Sequence, residues 1–466
     1  NKMEQERIFA EDLSETPSVL RYSEILKVGT PLADLQYNTL IPSNGSIYKA
    51  DQVIRLPFNV AADSFCNLKG AYIKFKITNK SAGADEICLD PQAGGASVID
   101  TFRVISGTGA LLEEVVHYNA IYALMNSMVP TTHTHSSNNL QEGTTKAPLS
   151  VKSQVAGADG NNCQVISQNN SFTCTHVPMS GFFNCDRLAP LGFTNGTAFV
   201  EITLASQNTP FRRFNTGAVG DIDWEISEVE MHVPVLRMGA EFNASFRQIL
   251  ASGIPINWHS TSYHNVQTSV ASGSSGSLTL TTASRKRSVK SVITIFRKQA
   301  DLTDKAVDSV SCRRSLGLSE YSYTLGGLKM PSKNVKVAGT GAMQITAAAV
   351  STTRDVGEAY ANLVMCLSNL GNVYSGTAMN ADDFYLSDNT GASKIAYGLD
   401  LEAYGHSNVQ SGKNLAGQGL PLVFECTLAG DNTNIASSAP VLCDQFLLYD
   451  VVYTLDGVSG TITANA

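Results

Sequence analysis

Short segments in both halves of the chain alternate apolar and polar residues with a period of two. In AYIKFKIT, Ile73, Phe75 and Ile77 fall on one side of the segment, and lysines separate them. The segments TAFVEITLA, GSLTLTT and PLVFECTLA show related patterns. Because successive side chains of a strand point to opposite faces of a sheet, this alternation predicts many half-buried β-strands. A fold built from sheets is therefore the first constraint on this chain.

The two halves of the chain repeat one order of predicted elements. In each half, strands come first, one amphipathic helix and polar loops follow, and apolar strands complete the unit. We predict the helices over residues 110–128 and 355–371, where apolar residues recur at spacings of three and four. A doubly wound α/β sheet would need a helix after nearly every strand. The order instead predicts an all-β protein of two consecutive eight-stranded antiparallel jelly rolls, each a β-sandwich with an inserted short helix.

Turn residues and changes of pattern divide the chain into four predicted parts. These are an N-terminal arm, a first jelly roll, a linker, and a second jelly roll with a C-terminal tail, over residues 1–45, 46–238, 239–255 and 256–466. Within the first roll, the alternation slips by one residue near Ser227, which predicts a β-bulge. Each roll is long enough to bury a core of its own.

Charge and cysteine content argue against several classes of protein. The net charge is −8, so the surface as a whole does not attract a phosphate backbone. The nine cysteines form no CxxC pair, which favours buried thiols over a zinc site. We find neither an apolar leader of the secretory type nor an apolar run of about 18 residues. We therefore expect a chain that is made without a signal peptide and spans no membrane.

One loop contains the best candidate for a metal site. His133, His135 and Glu142 lie in THTHSSNNLQE, and an H-x-H pair followed by a glutamate is typical of cupins, which are also jelly rolls. Here the glutamate lies too far along the chain, and no apolar strand surrounds the histidines. A solvated loop is the favoured interpretation, and we predict no metal or other cofactor.

No arrangement of residues predicts catalysis. Glu113 and Glu114 are adjacent, so their side chains diverge in either a strand or a helix and do not suit acid–base work on one substrate. We expect these glutamates to favour the first turn of the predicted helix at residues 110–128. The sequence therefore predicts a protein that is not an enzyme and takes no small-molecule substrate.

Three basic clusters could contact a partner. They contain, in order, Arg212 and Arg213, then Arg285, Lys286, Arg287 and Lys290, then Arg313 and Arg314. Each cluster could face a nucleic acid or a membrane, could pair with acidic groups of a neighbouring subunit, or could form a solvated face. With so few charges in each cluster, pairing between subunits or a solvated face is favoured.

The connector MSGFFNCDRLAPLG is unusually apolar for a loop. Its candidate side chains are Phe182, Phe183, Leu188 and Leu191. A jelly roll must close its two sheets at the ends, which needs glycines for tight turns and apolar groups that fill the core. We predict that this connector plugs the barrel, and the alternative is that an aromatic points outward into a subunit interface.

Several motifs resemble one known family, the double jelly-roll major capsid proteins of icosahedral double-stranded DNA viruses, and its polinton-like branch most closely. They are VPMSGFFNCDRLAPLGFTNGTAFVEITLA, IDTFRVISGTGALLEEVVHYNAIYALM, YSYTLGGLKMPSKNV, YGLDLEAYGHSNVQSGKNLAGQGLPLVFECTLAG and FLLYDVVYTLDGVSGTI. Their order and spacing carry the resemblance, which extends over most of residues 45–462.

The resemblance implies a structural function for the chain. Three copies would form a pseudo-hexagonal capsomer, and many capsomers with minor capsid or penton proteins would close a virion around its genome. It also implies that the arm runs along the inner surface or docks on a neighbouring subunit, with Ile25, Leu26 and Leu35 as the candidate side chains, and the alternative is a flexible leader. The alternatives are a tandem jelly-roll carbohydrate-binding protein or adhesin, and a cupin-like or glycan-processing enzyme.

Overall fold

The computed structural model describes most of the chain. The described residues are 33–82, 85–128, 137–144, 164–185, 187–213, 220–272, 274, 276–314, 316, 318–337, 357–366, 392–393, 395–402, 411–417, 421–428 and 440–465. Every pairing between the described strands is antiparallel.

The first half of the chain folds into two facing sheets and a small third sheet. Its strands are β1 (Ala33–Leu40), β2 (Ile47–Tyr48), β3 (Val53–Pro57), β4 (Ser64–Cys66), β5 (Tyr72–Asn79), β6 (Ile87–Leu89), β7 (Ile99–Ile105), β8 (Leu111–Val116), β9 (Val165–Ile166), β10 (Ser171–His176), β11 (Phe199–Leu204), β12 (Phe211–Arg213) and β13 (Trp224–Met238). One sheet has the order β1-β13-β5-β10, with β2 and β4 also paired to β13, and the facing sheet has the order β3-β11-β7-β8. The small sheet is β12-β6-β9.

The second half repeats this arrangement. Its strands are β14 (Ile256–Val270), β15 (Gly276–Thr282), β16 (Val289–Lys298), β17 (Arg313–Arg314), β18 (Leu318–Leu325), β19 (Leu328–Lys336), β20 (Ala392–Ser393), β21 (Tyr397–Asp400), β22 (Leu422–Leu428), β23 (Val441–Leu455) and β24 (Ile462–Asn465). The two main sheets are β14-β23-β16-β21 and β15-β22-β18-β19, and β24 pairs with β23. Most neighbours within the main sheets are distant in sequence, as β13 and β5 or β23 and β16 are, and the chain crosses repeatedly between the two facing sheets, as in a jelly roll. The prediction of two consecutive antiparallel jelly rolls is confirmed.

Short helices connect the strands. The α-helices are α1 (Tyr118–Met128), α2 (Ser137–Glu142), α3 (Ala240–Ala251) and α4 (Gly357–Cys366), and the 3₁₀-helices are Leu68–Gly70, Gly95–Val98, Leu191–Phe193 and Gln299–Leu302. Each roll contains the inserted helix that the sequence predicts, which is α1 in the first roll and α4 in the second. Helix α3 lies between the rolls. Within the described residues, no helix is long and apolar enough to cross a membrane.

The structure corrects two boundaries. The predicted helix at residues 110–128 is in fact strand β8 followed by helix α1, because His117 between them has a positive φ of 52° that interrupts a helix. The predicted arm at residues 1–45 contains β1, which pairs with β13 from Ala33 to Leu40 and so belongs to the first sheet. The predicted bulge near Ser227 is confirmed, because the pairing of β13 with β5 shifts register between Ser227 and Glu230.

The apolar faces of both rolls meet in one continuous core. It includes Trp224 and Phe102 of the first roll and Phe296 and Tyr453 of the second. The eight cysteines within the described residues are also buried. The core therefore passes through the junction between the rolls.

Candidate functional site

The connector at residues 179–192 lies at the junction of the two rolls. The rings of Phe182 and Phe183 are buried and pack against Phe58 at centroid distances of 6.4 and 6.1 Å. Phe182 also meets Tyr453 of the second roll edge-to-face at 5.3 Å. Leu191 is buried, whereas Leu188 is 40% exposed. Three of the four candidate side chains thus lie in the core, and Leu188 lies on the surface.

Glu113 on β8 anchors this connector. Its carboxylate accepts hydrogen bonds from the backbone N–H of Gly181 at 2.7 Å and of Phe182 at 2.9 Å, and from the Ser180 hydroxyl at 2.5 Å. From the second roll, the Ser262 hydroxyl donates to the same carboxylate, and the Tyr453 hydroxyl lies 3.4 Å away. The side chain is 3% exposed. One buried carboxylate therefore holds the connector and both rolls together.

The close approach at this point requires a glycine. A Cβ on Gly181 would lie 2.9 Å from both the Ser262 Cβ and the Thr261 carbonyl oxygen on β14. Glu114, the neighbour of Glu113, instead faces the surface, where the Arg103 guanidinium donates a 2.6 Å hydrogen bond to its carboxylate. The two glutamates face opposite ways because they lie in a strand, which corrects the expected position in a helix turn.

A second polar cluster crosses the junction. The Arg297 guanidinium donates to Asp444 at 2.7 Å within the second roll, and the Gln267 amide donates to the same carboxylate at 2.8 Å. The Gln267 amide also lies 3.1 Å from the His117 ring of the first roll, which contacts Asp100 at 3.3 Å. Burial by itself raises the pKa of Asp444, but the Arg297 and His117 charges outweigh it and lower that pKa overall.

Most of the basic candidates are buried in the protein interior. Arg212 of the first roll pairs with Asp308 of the second at 3.0 Å, and both are buried. Arg314 is buried in an ion pair with Asp301, and the Arg313 guanidinium donates to the Ser127 hydroxyl of α1 at 3.1 Å. Burial raises the pKa of Asp308 to about 6, and the neighbouring Asp90 carboxylate acts in the same direction.

The remaining basic residues divide between the interior and the surface. Arg213 pairs with Asp85 at 3.0 Å, and Lys290 is buried 3.1 Å from Asp450. Lys286 lies 4.1 Å from the centre of the Tyr449 ring, and burial lowers its pKa. Arg285 and Arg287 are exposed. Arg212, Arg213, Lys290 and Arg314 therefore pair with carboxylates of their own chain, and Arg313 is buried beside a hydroxyl, so none of these five presents an exposed cation for the contacts considered from the sequence.

The metal candidate Glu142 belongs to a different buried network. Its carboxylate lies 2.8 Å from the ring of His176 and accepts a 2.5 Å hydrogen bond from the Tyr122 hydroxyl. The Tyr118 hydroxyl lies 2.7 Å from the other ring nitrogen of His176. Burial raises the pKa values of Tyr118 and Tyr122 well above the ordinary value. The solvated loop that the sequence favours is therefore wrong for Glu142, because its side chain is buried at the end of α2 and contacts a histidine and a tyrosine.

The two histidines that were weighed with Glu142 as metal candidates cannot be placed with it. His133 and His135 lie outside the described residues, and within the described part no group of three or more His, Cys, Asp or Glu residues could hold a metal ion. Sequence reasoning missed His176, although its place at the end of the alternating segment SFTCTH could have indicated an inward side chain.

Of the three arm candidates, only Leu35 is described. Its side chain is 54% exposed on β1, opposite Leu236 of β13. Ile25 and Leu26 lie outside the described residues. Leu35 therefore belongs to a sheet of its own roll, and it presents an apolar group on the surface.

The fold recurs in solved structures of viral capsid proteins. The chain is similar to VP54 of PBCV-1, with a TM-score of 0.59 over 95% of this chain and 99% of that chain at 10% identity. It is also similar to the Faustovirus major capsid protein, with a TM-score of 0.58 over 95% and 93% of the two chains at 9% identity. The chain has the double jelly-roll capsid-protein fold. A structure of the Sputnik virophage matches with a TM-score of 0.56 over 94% and 89% at 11% identity.

The likeness lies in the fold and not in the sequence. No family model matches the sequence, and no curated protein matches it. The expected double jelly-roll architecture is confirmed, and the polinton-like branch stays a prediction.

Proposed function

We propose that this protein is the major capsid protein of an icosahedral double-stranded DNA virus. Three copies form a homotrimeric capsomer whose six rolls make a pseudo-hexagonal tile, and many tiles close the virion shell. The observation that carries the proposal is the pairing of two complete jelly rolls in one continuous core, in a fold that aligns with almost the full length of VP54 of PBCV-1.

The junction between the rolls supports this function. A tile keeps its shape only if the two rolls of each subunit keep a fixed relative orientation. The Glu113 carboxylate binds the connector and the second roll, and the Arg212–Asp308 ion pair adds a buried contact at another point. Removing one partner from a buried polar contact is costly, so these contacts oppose rotation of one roll against the other.

The proposed work of the protein is association and not catalysis. A closed ring of three copies joins two different patches of each copy head to tail, and obligate interfaces of this kind bury large areas. Further proposed partners are neighbouring capsomers, minor capsid or penton proteins, and packaged DNA or an internal membrane. Among the basic candidates, Arg285 and Arg287 are the exposed pair that could make such outer contacts.

Light scattering coupled to size-exclusion chromatography tests the proposal. We expect a persistent species of three 49.7 kDa copies, about 150 kDa in total. Negative-stain images should show hexagonal tiles or closed shells. A chain that stays monomeric at all concentrations and forms no tiles would contradict a capsid function.

A further inference from the structure

A buried lysine in the second roll lies between two carboxylates. The Lys290 nitrogen Nζ is 3.1 Å from Oδ1 of Asp450 and 3.5 Å from Oε1 of Glu402. The three side chains are 11%, 5% and 5% exposed. The Ser288 hydroxyl donates to Oδ2 of Asp450 at 2.8 Å, and the Ser411 hydroxyl donates to Glu402 at 2.9 Å. An amine and a carboxyl group are therefore held in contact at a place that excludes most water.

Three neighbouring strands bring these groups together. Lys290 lies on β16, Asp450 lies on β23, and Glu402 follows the end of β21 by two residues. The pairing of β16 with β23 shifts register between Val289 and Ser291, which leaves Lys290 as the extra residue of a β-bulge. A bulge re-aims a side chain away from the plain alternation of a strand. The bulge therefore gives the lysine its position between the two carboxylates.

Backbone hydrogen bonds fix the amine and the carboxyl group in place. The Leu401 N–H donates to the Lys290 carbonyl at 2.7 Å, and the Asp450 N–H donates to the Ser288 carbonyl at 2.9 Å. Val289 and Leu401 are themselves buried. Two groups held in contact react as if each were present at about 10⁵–10⁸ M, which favours a condensation that dilute amines and carboxylates do not undergo in water.

An exposed ion pair of the same chain has different surroundings. Lys305 lies 2.8 Å from Asp221, and these side chains are 27% and 61% exposed. Water there solvates both charges and stabilises the separate ions. At Lys290 and Asp450, burial instead removes the hydration of both charges, and a neutral amide would eliminate that cost. The buried pair is therefore the one that favours a covalent bond.

We propose that Lys290 and Asp450 condense into an isopeptide bond, with Glu402 as the group that transfers a proton. One proton passes from the Lys290 ammonium to Oδ1 of Asp450, and the freed lone pair of Nζ attacks Cγ of the resulting acid. The C–N bond forms while an electron pair of the C=O bond moves onto Oδ2, next to the donating Ser288 hydroxyl.

The second half of the step releases water. Glu402 takes a second proton from Nζ and delivers it to Oδ1, the electron pair on Oδ2 returns, and the bond from Cγ to Oδ1 breaks. Two of the three ammonium protons thus leave with Oδ1 as one water molecule, the third stays on the amide nitrogen, and Glu402 returns to its starting state. This modification goes beyond the proposed function, because it concerns the covalent structure of one chain and not its assembly.

The intact mass of the denatured full-length chain tests the bond. We expect the purified protein to weigh one water molecule less than its expressed sequence, and a protease digest to contain a branched peptide that joins Lys290 to Asp450. Lys290→Arg keeps the positive charge but has no amine for this bond, so it should show the full mass of its sequence. The matched control is Lys305→Arg at the exposed pair, which should still lack one water molecule.

A further variant separates the chemistry from the packing. Glu402→Gln fills nearly the same space, but its amide does not take up and release a proton as a carboxylate does. We expect this variant to show the full mass of its sequence while its circular dichroism spectrum matches that of the unchanged protein.

Each outcome decides for or against the bond. A full mass for the unchanged protein would overturn it, and the three side chains would then form a buried ion-pair network only. Water loss that persists in Lys290→Arg would also overturn it, because an aspartate that closes to a cyclic imide loses the same mass without the lysine. Water loss in a folded Glu402→Gln would overturn the role of Glu402.

The bond and the capsid proposal can fail separately. A persistent trimer of full-mass chains would leave the capsid proposal standing and overturn the bond. A monomeric chain that lacks one water molecule through the branched peptide would support the bond and contradict the capsid proposal.

Discussion

Replacement of Glu113 by glutamine tests whether this carboxylate holds the rolls together. Each of its two oxygens accepts one backbone N–H, from Gly181 on Oε1 and from Phe182 on Oε2. A glutamine side chain has one oxygen and one NH₂ group. Whichever way the amide is turned, the NH₂ group faces a backbone N–H that cannot become an acceptor. The hydroxyls of Ser180 and Ser262 can rotate, but the two backbone groups cannot.

The expected cost follows from that geometry. At least one buried backbone hydrogen bond is lost and one donor faces another, so Glu113→Gln should lower the free energy of unfolding by about 2–3 kcal/mol. The matched control is Glu114→Gln on the same strand. Glu114 makes a partly exposed ion pair with Arg103, so that change should cost less than about 1 kcal/mol.

Urea unfolding of the two variants and the unchanged protein measures the difference. Tryptophan fluorescence reports on both rolls, since Trp224 lies in the first and Trp258 in the second. Equal urea midpoints for Glu113→Gln and Glu114→Gln would refute the argument, because the buried and exposed glutamates would then contribute alike.

Three further changes have defined outcomes. Phe182→Ala should cost about 3–5 kcal/mol in urea unfolding, and the partly exposed Leu188→Ala should cost much less, whereas equal losses would contradict the placement of Phe182 in the core. Tyr118→Phe should lower the thermal midpoint, because two buried hydrogen bonds lose their partner at an expected cost of about 1–3 kcal/mol. Since burial raises the pKa of Asp308 from 3.8 to about 6, its contribution to stability is complete below 3.8 and is lost as the pH rises through 6. Melting curves at several pH values should show Asp308→Asn gaining stability relative to the unchanged protein between about pH 4 and 6, and parallel pH profiles would contradict this sign.

The sequence predicted the architecture because strand alternation is a local property. Segments such as the one containing Ile73 and Phe75 show their inward faces without knowledge of their partners. The boundary at His117 was missed because the apolar residues of β8 and α1 together also satisfy helical spacing. Only the pairing of β8 with β7 decides between the two interpretations.

The buried ion pairs could not be predicted from the sequence. Arg212 and Asp308 are 96 residues apart and belong to different rolls, so their contact depends on how the rolls pack. The short clusters of arginine therefore resembled surface patches. In the same way, the contact between Glu113 and the connector could not be predicted, because the groups that donate hydrogen bonds to this carboxylate are backbone N–H groups and hydroxyls remote in sequence.

The buried cysteines have a consequence for the proposed particle. Burial raises the pKa of Cys66 and Cys426 to about 12, and it raises the pKa values of Cys174, Cys366 and Cys443 well above the ordinary value. The reactive form of a cysteine is the thiolate, which these sites suppress. A shell of this protein would pass from the reducing interior of a cell into oxidising surroundings without forming disulfides at these positions. Around these five positions, the durability of the proposed shell would then depend on packing and not on disulfides.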